Sequence, residues 1–326
     1  MTSQSKIWVK GLFLCLLALL IINPKAIAFD KRSSYALSHY IMAVMYDDLG
    51  QIDKAIEEYK IALKADYKNS VIHLNLAVSY LKNNNFPDAI KELDTVVKLE
   101  PDSVEPHAIL ALLYAAQNKT DLATSEYELA LKNASKLEPK NVNIYKTLGL
   151  VYIQQKKMQA AENTYKLIIG LSPNDAEAHF YLGSVYFELK NKDKSIEELK
   201  KTLELKPDYA EALNYLGYLY VEESRNLEQA EVMIKKALEI DPHNGAYIDS
   251  LGWLYFKKGK IKEAVKELEK ASNLVEDRVI NDHLGDAYFK VGDLEKAKIS
   301  WQNSLKLDSR QDKIKEKLER INKTKQ

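Results

Sequence analysis

One spacing dominates this sequence: between residues 46 and 288 a tyrosine recurs eight times, at intervals of 33 to 38 residues. The eight positions are Tyr46, Tyr80, Tyr114, Tyr152, Tyr186, Tyr220, Tyr255 and Tyr288. A period of this length indicates a chain built from copies of one supersecondary unit. A unit of about 34 residues cannot bury its apolar side alone, so neighbouring copies must stack on one another.

The residues around each tyrosine repeat as well. Three positions earlier lies a small residue: Ala43, Ala77, Ala111, Gly149, Gly183, Gly217, Gly252 or Gly285. Directly before it lies a long apolar residue: Met42, Leu76, Leu110, Leu148, Leu182, Leu216, Leu251 or Leu284. A second small residue comes twelve or thirteen positions after the first: Ala55, Ala89, Ala123, Ala161, Ser195, Ala230, Ala264 or Ala297.

These spacings predict a helix, a turn and a second helix in every repeat. The long apolar residue and the tyrosine are four positions apart, which places them on one helical face. The small residues let the second helix approach closely, because a larger side chain would overpack the crossing. Proline, which ends helices, closes five repeats, at Pro101, Pro139, Pro173, Pro207 and Pro242.

The period and the signature positions resemble the tetratricopeptide repeat (TPR) family. The resemblance implies an all-α fold, a right-handed α-solenoid of about eight TPR helix-turn-helix repeats with a C-terminal capping helix. The repeats are predicted at residues 36–69, 70–103, 104–141, 142–175, 176–209, 210–244, 245–277 and 278–311. Residues 29–35 are predicted to be a short leader, and 312–326 a capping helix and tail, because Ile314, Leu318 and Ile321 share one helical face.

Four repeats depart from the pattern. The first has Tyr67 where proline is usual, and the seventh and eighth also lack that proline. The third repeat carries four extra residues near Asn133–Glu138, which we expect to form a longer second helix or a longer loop. No segment rich in Gly, Ser or Pro divides the array, so the sequence predicts a single solenoid.

The first 28 residues have the layout of a secretory signal peptide. Lys6 and Lys10 precede an uncharged apolar run, Gly11–Ile22, and Ala28 ends a small-x-small site at which cleavage is expected. The alternative is an uncleaved membrane anchor, although the run is shorter than the ~20 residues that span a bilayer. The only cysteine, Cys15, lies inside the run, so cleavage would leave a chain with no thiol and no disulfide.

Composition and motifs argue against several classes of function. Lys+Arg and Asp+Glu both number 47, so the chain has no general attraction to nucleic acid. Four histidines occupy one repeat position and are expected to pack there, because a metal ion needs ligands that converge. They are His39, His73, His107 and His179. With no phosphate-binding loop and no catalytic motif, the sequence predicts a protein that is not an enzyme and uses no metal or cofactor.

The TPR resemblance implies that ligands lie on the concave side, which is lined by the first helix of each repeat. The predicted groove residues are Asn143, Lys146, Phe180, Tyr181, Ser184, Phe187, Asn214, Tyr215, Tyr218, Asp249, Trp253, Phe256, Asp282, His283 and Asp286. Aromatic rings beside Asn and Asp are typical of a surface that binds peptides. The alternative is that several of these rings pack against the next repeat. Leu150 stands where a carboxylate-clamp asparagine would be, so that familiar TPR function is not carried over.

These features together predict a non-enzymatic scaffold or adaptor that binds other proteins or peptides. The export signal predicts a periplasmic or cell-envelope location, and the last three repeats resemble the C-terminal region of exported bacterial envelope TPR proteins. A membrane-tethered scaffold is the first alternative. A glycan-binding protein or an enzyme that uses the aromatic groove is a more distant one. Self-association stays open.

Overall fold

The computed structural model of the protein describes residues 31–324, and within this range it consists of α-helices and turns, with no strand. The prediction of an all-α helix-turn-helix architecture is confirmed. The predicted signal peptide and its alternative, a membrane anchor, lie outside the described residues. Among the helices of 31–324, none is both long enough and apolar enough to cross a membrane.

The contacts divide the chain into two compact units, one up to Pro139 and one from Lys140 onward. The described part of the first unit, from residue 31, contains six helices: α1 (Lys31–Asp48), α2 (Ile52–Ala65), α3 (Ser70–Lys82), α4 (Phe86–Leu99), α5 (Val104–Ala116) and α6 (Thr120–Leu137). The second unit contains the other eleven described helices: α7 (Val142–Gln154), α8 (Met158–Leu171), α9 (Ala176–Glu188), α10 (Lys192–Leu205), α11 (Ala210–Glu222), α12 (Leu227–Ile240), α13 (Gly245–Lys257), α14 (Ile261–Leu274), α15 (Arg278–Val291), α16 (Leu294–Leu307) and α17 (Asp312–Thr324).

The recurring tyrosine closes the turn inside every repeat through its backbone. Its carbonyl accepts the N–H of the residue five positions later, for example Tyr80 from Asn85 and Tyr186 from Asn191, each at 2.8 Å. The residue before that donor adopts the left-handed conformation: glycine in three repeats, and residues such as Asn84 (φ 55°) and Lys190 (φ 64°) in others. This pattern satisfies carbonyl groups that a helix end would otherwise leave without partners.

The small residue of each first helix lies against the second helix of the same repeat. A Cβ atom built on Gly217 would be 2.8 Å from Ile234 Cγ1, and one on Gly252 would be 2.7 Å from Leu268 Cγ. Real Cβ atoms do not approach other carbon atoms so closely, so these crossings need glycine. The chain therefore uses its helical glycines to bring two helices together.

The structure corrects one boundary and resolves one alternative. Residues 31–35, predicted to be a leader, form the first turn of α1, since nothing there breaks a helix and the Tyr35 ring packs 4.4 Å from His39 one turn on. The four extra residues of the third repeat extend its second helix, because α6 has 18 residues where the other second helices have 14. At the far end α17 buries Ile314 and Ile321, as a capping helix should.

Candidate functional site

The fifteen predicted groove residues lie on five first helices of the second unit: α7, α9, α11, α13 and α15. We call the surface formed by these side chains the first-helix face. Each of the five helices is joined to the next by at least one side-chain contact between predicted residues or their neighbours. The face is thus a continuous row of contacts, described below from α7 to α17.

The row begins with a charged contact between α7 and α9. Lys146 Nζ lies 2.7 Å from Glu177 Oε2 and 2.8 Å from Asp175 Oδ2. Burial lowers the pKa of this lysine, but the two carboxylates outweigh burial and raise it above its ordinary value. Lys146 is therefore held as a cation by partners inside the protein.

Aromatic rings join α9 to α11. Tyr215 packs edge-on against Phe180, at 6.3 Å between ring centroids, and against Phe187, at 5.6 Å. Phe180 in turn contacts Tyr181 at 5.3 Å and stacks on Tyr209 at 5.1 Å. Burial raises the pKa of the Tyr215 hydroxyl, so the phenol is neutral at physiological pH. These rings are half-buried, which leaves part of each open to a ligand.

A second aromatic cluster joins α11, α13 and α15. Trp253 stacks on His283 at 4.0 Å and on Phe256 at 4.7 Å, and its Nε1–H donates to Glu222 Oε1 at 2.6 Å. Tyr218 lies 6.4 Å from the His283 ring. Trp253 is 8% exposed, so it serves mainly to pack α13 between its neighbours. The solvent-accessible ring surface of this cluster belongs to Phe256 and Tyr218, which are half-buried.

His283 and Asp249 form a buried pair beneath this cluster. Nδ1 of the histidine lies 3.0 Å and 3.1 Å from the two carboxylate oxygens, and both residues are under 9% exposed. Burial lowers the pKa of His283, but the charges of Asp249, Asp282 and Glu222 raise it to a net value above the ordinary one. The His283 ring is thus engaged inside the protein, through its pair with Asp249 and its stack on Trp253.

The row ends at the capping helix. Lys317 Nζ of α17 lies 2.6 Å from both Asp282 Oδ1 and Asp286 Oδ1. The indole N–H of Trp301 also donates to Asp286, at 3.2 Å. Burial raises the pKa of Asp286, and Lys317 opposes that rise. The two aspartates therefore hold α17 in place rather than stand open.

Three predicted residues take no part in the row. Asn143 is exposed at the start of α7, and Ser184 Oγ donates to the carbonyl of Tyr181 in its own helix, at 2.8 Å. Asn214 Oδ1 is buried and has no hydrogen-bond partner, which is costly for an amide oxygen. Its position on α11 is directly before Tyr215.

Sequence reasoning missed a polar pair that recurs in four repeats. Each of the repeat-position histidines bonds through Nδ1 to a glutamate 19 residues later, on the second helix: His39 to Glu58, His73 to Glu92, His107 to Glu126 and His179 to Glu198. In three of these repeats Nε2 faces a backbone carbonyl of the preceding turn, at 3.0 to 3.2 Å. The constant offset of 19 was visible in the sequence. These histidines clamp helices together. Within 31–324 no group of three or more His, Cys, Asp or Glu residues is placed to hold a metal ion.

The chain consists of helix pairs that stack on one another and contact their neighbours through their first helices. This architecture is that of a helical-repeat protein. Sequence models described as tetratricopeptide repeat match residues 48–113, 110–176, 210–244 and 247–274, and a model described as TPR repeat matches 183–223. The chain belongs to the tetratricopeptide repeat family.

Two solved structures share the fold. A tetratricopeptide repeat protein from Parabacteroides merdae is 18% identical, with a TM-score of 0.57 over 77% of this chain and 98% of that chain. The APC/C hetero-tetramer Cut9–Hcn1 contains a chain that is 15% identical, with a TM-score of 0.57 over 89% of this chain and 70% of that chain. Identities this low establish similarity of fold alone.

One curated protein is similar over a short stretch. A protein O-mannosyl-transferase of Caenorhabditis elegans is 30% identical over 88 residues, which is 27% of this chain. The chain spans 13% of that relative's length.

Proposed function

We propose that this protein is a non-enzymatic scaffold of the bacterial cell envelope that binds a partner peptide or protein on the first-helix face of its second unit. TPR proteins generally bind other proteins. The observation that carries the proposal is the row of half-open rings, Phe180, Phe187, Tyr215, Tyr218 and Phe256, on consecutive first helices. Rigid rings give contact area at a low cost in side-chain entropy.

Several features support a binding role over a catalytic one. The charged residues among those predicted for the groove are used within the protein: Lys146 pairs with Glu177, His283 with Asp249, and Lys317 with Asp282 and Asp286. A catalytic site would need an acid, base or nucleophile free to act on a substrate. The transferase activity in the name of the Caenorhabditis elegans relative is not part of the proposal, because the similarity spans a small part of that protein.

The binding proposal is tested by a crosslinked pull-down from envelope extracts. The wild-type chain is compared with Tyr215→Ala/Phe256→Ala, which removes two half-open rings from the face. The matched control is Tyr67→Ala/Phe86→Ala, which removes two exposed rings from the first unit. We expect a partner that the wild type and the control both capture and the face variant loses. A partner held equally by all three chains would place binding elsewhere on the molecule.

The location is proposed from the sequence of residues 1–28, and N-terminal sequencing of the chain from a bacterial host tests it. A mature chain that starts at Phe29 in the envelope fraction supports an exported scaffold. A chain that retains its first residues and fractionates with membranes would support the tethered alternative. A full-length chain in the cytoplasm would contradict both.

A further inference from the structure

The middle of the first-helix face is bordered by negative charge. Helices α9 and α11 contain four glutamates and no lysine or arginine. Glu177 and Glu188 stand near the two ends of α9, and Glu211 and Glu222 near the two ends of α11. The rings described above lie between them along each helix. A strip of aromatic surface therefore has carboxylates on both of its edges.

Two of these carboxylates are not used by the protein itself. Glu177 pairs with Lys146, and Glu222 accepts the N–H of Trp253. Glu188 and Glu211 are exposed, and neither forms a hydrogen bond or ion pair with any residue in the described part of the chain. The unused capacity of the strip is thus the negative charge of Glu188 and Glu211.

The aromatic rings at the borders of the strip already hold cations. Lys190 Nζ lies 5.7 Å from the centroid of Phe187, Lys206 Nζ lies 5.1 Å from that of Tyr209, and Lys257 Nζ lies 5.0 Å from that of Trp253. An ammonium group over a ring face is attracted by the ring quadrupole. Within residues 31–324, no lysine or arginine lies over the central rings Phe180, Tyr215 and Tyr218 in this way.

We propose that the strip formed by α9 and α11 binds an extended, lysine- or arginine-bearing peptide segment of a partner protein. Lysine and arginine side chains carry only hydrogen-bond donors and a positive charge, which complements the exposed carboxylates of Glu188 and Glu211. Their apolar stems pack on Phe180 and Tyr215 while their charged ends reach the carboxylates. This inference rests on the proposed function, because it names the chemistry of the partner at the same face.

Three labelled nonapeptides test the inference by fluorescence anisotropy with the chain that starts at Phe29. They share one alanine-rich framework and carry four lysines, four glutamines or four glutamates. We expect the lysine peptide to bind about tenfold or more tightly than the glutamate peptide, and more weakly at 200 mM than at 50 mM salt. Glu188→Gln/Glu211→Gln should weaken binding of the lysine peptide about fivefold.

A matched control separates a defined site from general attraction to an acidic protein. Glu197→Gln/Glu239→Gln removes two exposed carboxylates from the second helices α10 and α12, where neither forms a hydrogen bond or ion pair among the described residues. It should leave binding unchanged. Tyr215→Leu, which keeps the charge, should weaken binding, because a ring face is lost. Circular dichroism establishes that each variant keeps its helices.

Several outcomes would overturn the inference. One is equal affinity for the lysine and glutamate peptides. Another is that Glu197→Gln/Glu239→Gln weakens binding of the lysine peptide as much as Glu188→Gln/Glu211→Gln does. A third is that Tyr215→Leu leaves the affinity for the lysine peptide unchanged. If the chain alone self-associates and Glu188→Gln/Glu211→Gln abolishes it, the occupant is a second copy and not a partner peptide. If the pull-down partner depends on Tyr215 and Phe256 but no lysine peptide binds, the scaffold proposal stands and only the charge preference falls.

Discussion

The two units of this protein solve the same packing problem differently. At the small position of the first helix, every repeat of the first unit has alanine, at Ala43, Ala77 and Ala111. Every repeat of the second unit has glycine, at Gly149, Gly183, Gly217, Gly252 and Gly285. An alanine crossing keeps a Cβ atom between the helices and favours the helix, whereas a glycine crossing has no Cβ atom between the two backbones. The second unit therefore depends on its small residues more than the first does.

The two units also differ in the residue types that their first helices expose. In the first unit several of the corresponding exposed residues are aliphatic, namely Leu37, Ile41, Val71 and Leu112, beside the exposed Glu105. In the second unit most of the predicted groove residues are aromatic or acidic. Close helix crossings and an aromatic, charged surface thus occur together, in the unit to which we assign binding.

The largest effect should come from the tightest glycine crossing. A Cβ atom on Gly285 would lie 2.3 Å from Trp301 Cδ1, in a tryptophan that is 2% exposed and cannot move aside. Gly285→Ala should lower the free energy of unfolding by about 2 kcal/mol, despite alanine's better helix propensity. Urea unfolding followed by circular dichroism measures the loss. Gly285→Ala should cost less in a Trp301→Leu background than in the wild type, since leucine packs with alanine in the second repeat, as Leu93 with Ala77. An unaltered midpoint for the single variant would contradict the account.

A smaller effect is expected when the two units exchange their small residues. Ala77 packs with Leu93, and Gly183 lies against Leu199, so the large partner is the same in both repeats. Ala77→Gly should cost about 1 kcal/mol, because glycine is the poorer helix former. Gly183→Ala should be near neutral, since the new Cβ, 3.0 Å from Leu199 Cγ, offsets the gain in propensity. If both changes destabilise by the same amount, the crossings of the two units are equivalent and the contrast is lost.

The smallest effect concerns pH and the histidine clamps, three of which are in the first unit and one in the second. The hydrogen bond that His73 donates to the Glu92 carboxylate raises the pKa of His73 above 6.5, with help from the carbonyl of Tyr67. A raised folded-state pKa contributes stability that is fully present below pH 6.5 and is lost as pH rises through the folded value. Hydrogen exchange in α3 and α4 should therefore speed up between pH 6 and 8.5 beyond its intrinsic rate increase.

His73→Gln should flatten that extra pH dependence, and the exposed turn residue His243 supplies the control. His243→Gln should leave the profile of α3 and α4 as it is. If the hydrogen-exchange protection of α3 and α4 depends on pH equally in the wild type and in His73→Gln, the histidine clamp is not the cause of that dependence.

Much of the fold could be predicted because its determinants are local and repeated. The spacing of Leu76, Ala77 and Tyr80 within one helix specifies helix, face and crossing together, and eight copies reinforce it. Contacts between repeats were harder to predict. Asp249 and His283 are 34 residues apart, and Lys317 reaches Asp282 from the capping helix 35 residues away, so neither pair is marked by a local pattern. Inner-facing positions could be proposed from the repeat, but the share of each ring that stays open depends on neighbours that only the structure shows.

The placement of tryptophan has a consequence for spectroscopy. Of the three tryptophans in the sequence, one is Trp8 in the predicted signal peptide, and the other two are Trp253 and Trp301, in the last two repeats. Both are buried, one stacked on an imidazole and the other packed over a glycine. Tryptophan fluorescence of the processed chain, excited at a wavelength that tyrosine does not absorb, would therefore report on its C-terminal end, while circular dichroism averages over all helices. The difference between the two melting curves is a label-free measure of how cooperatively the repeats unfold.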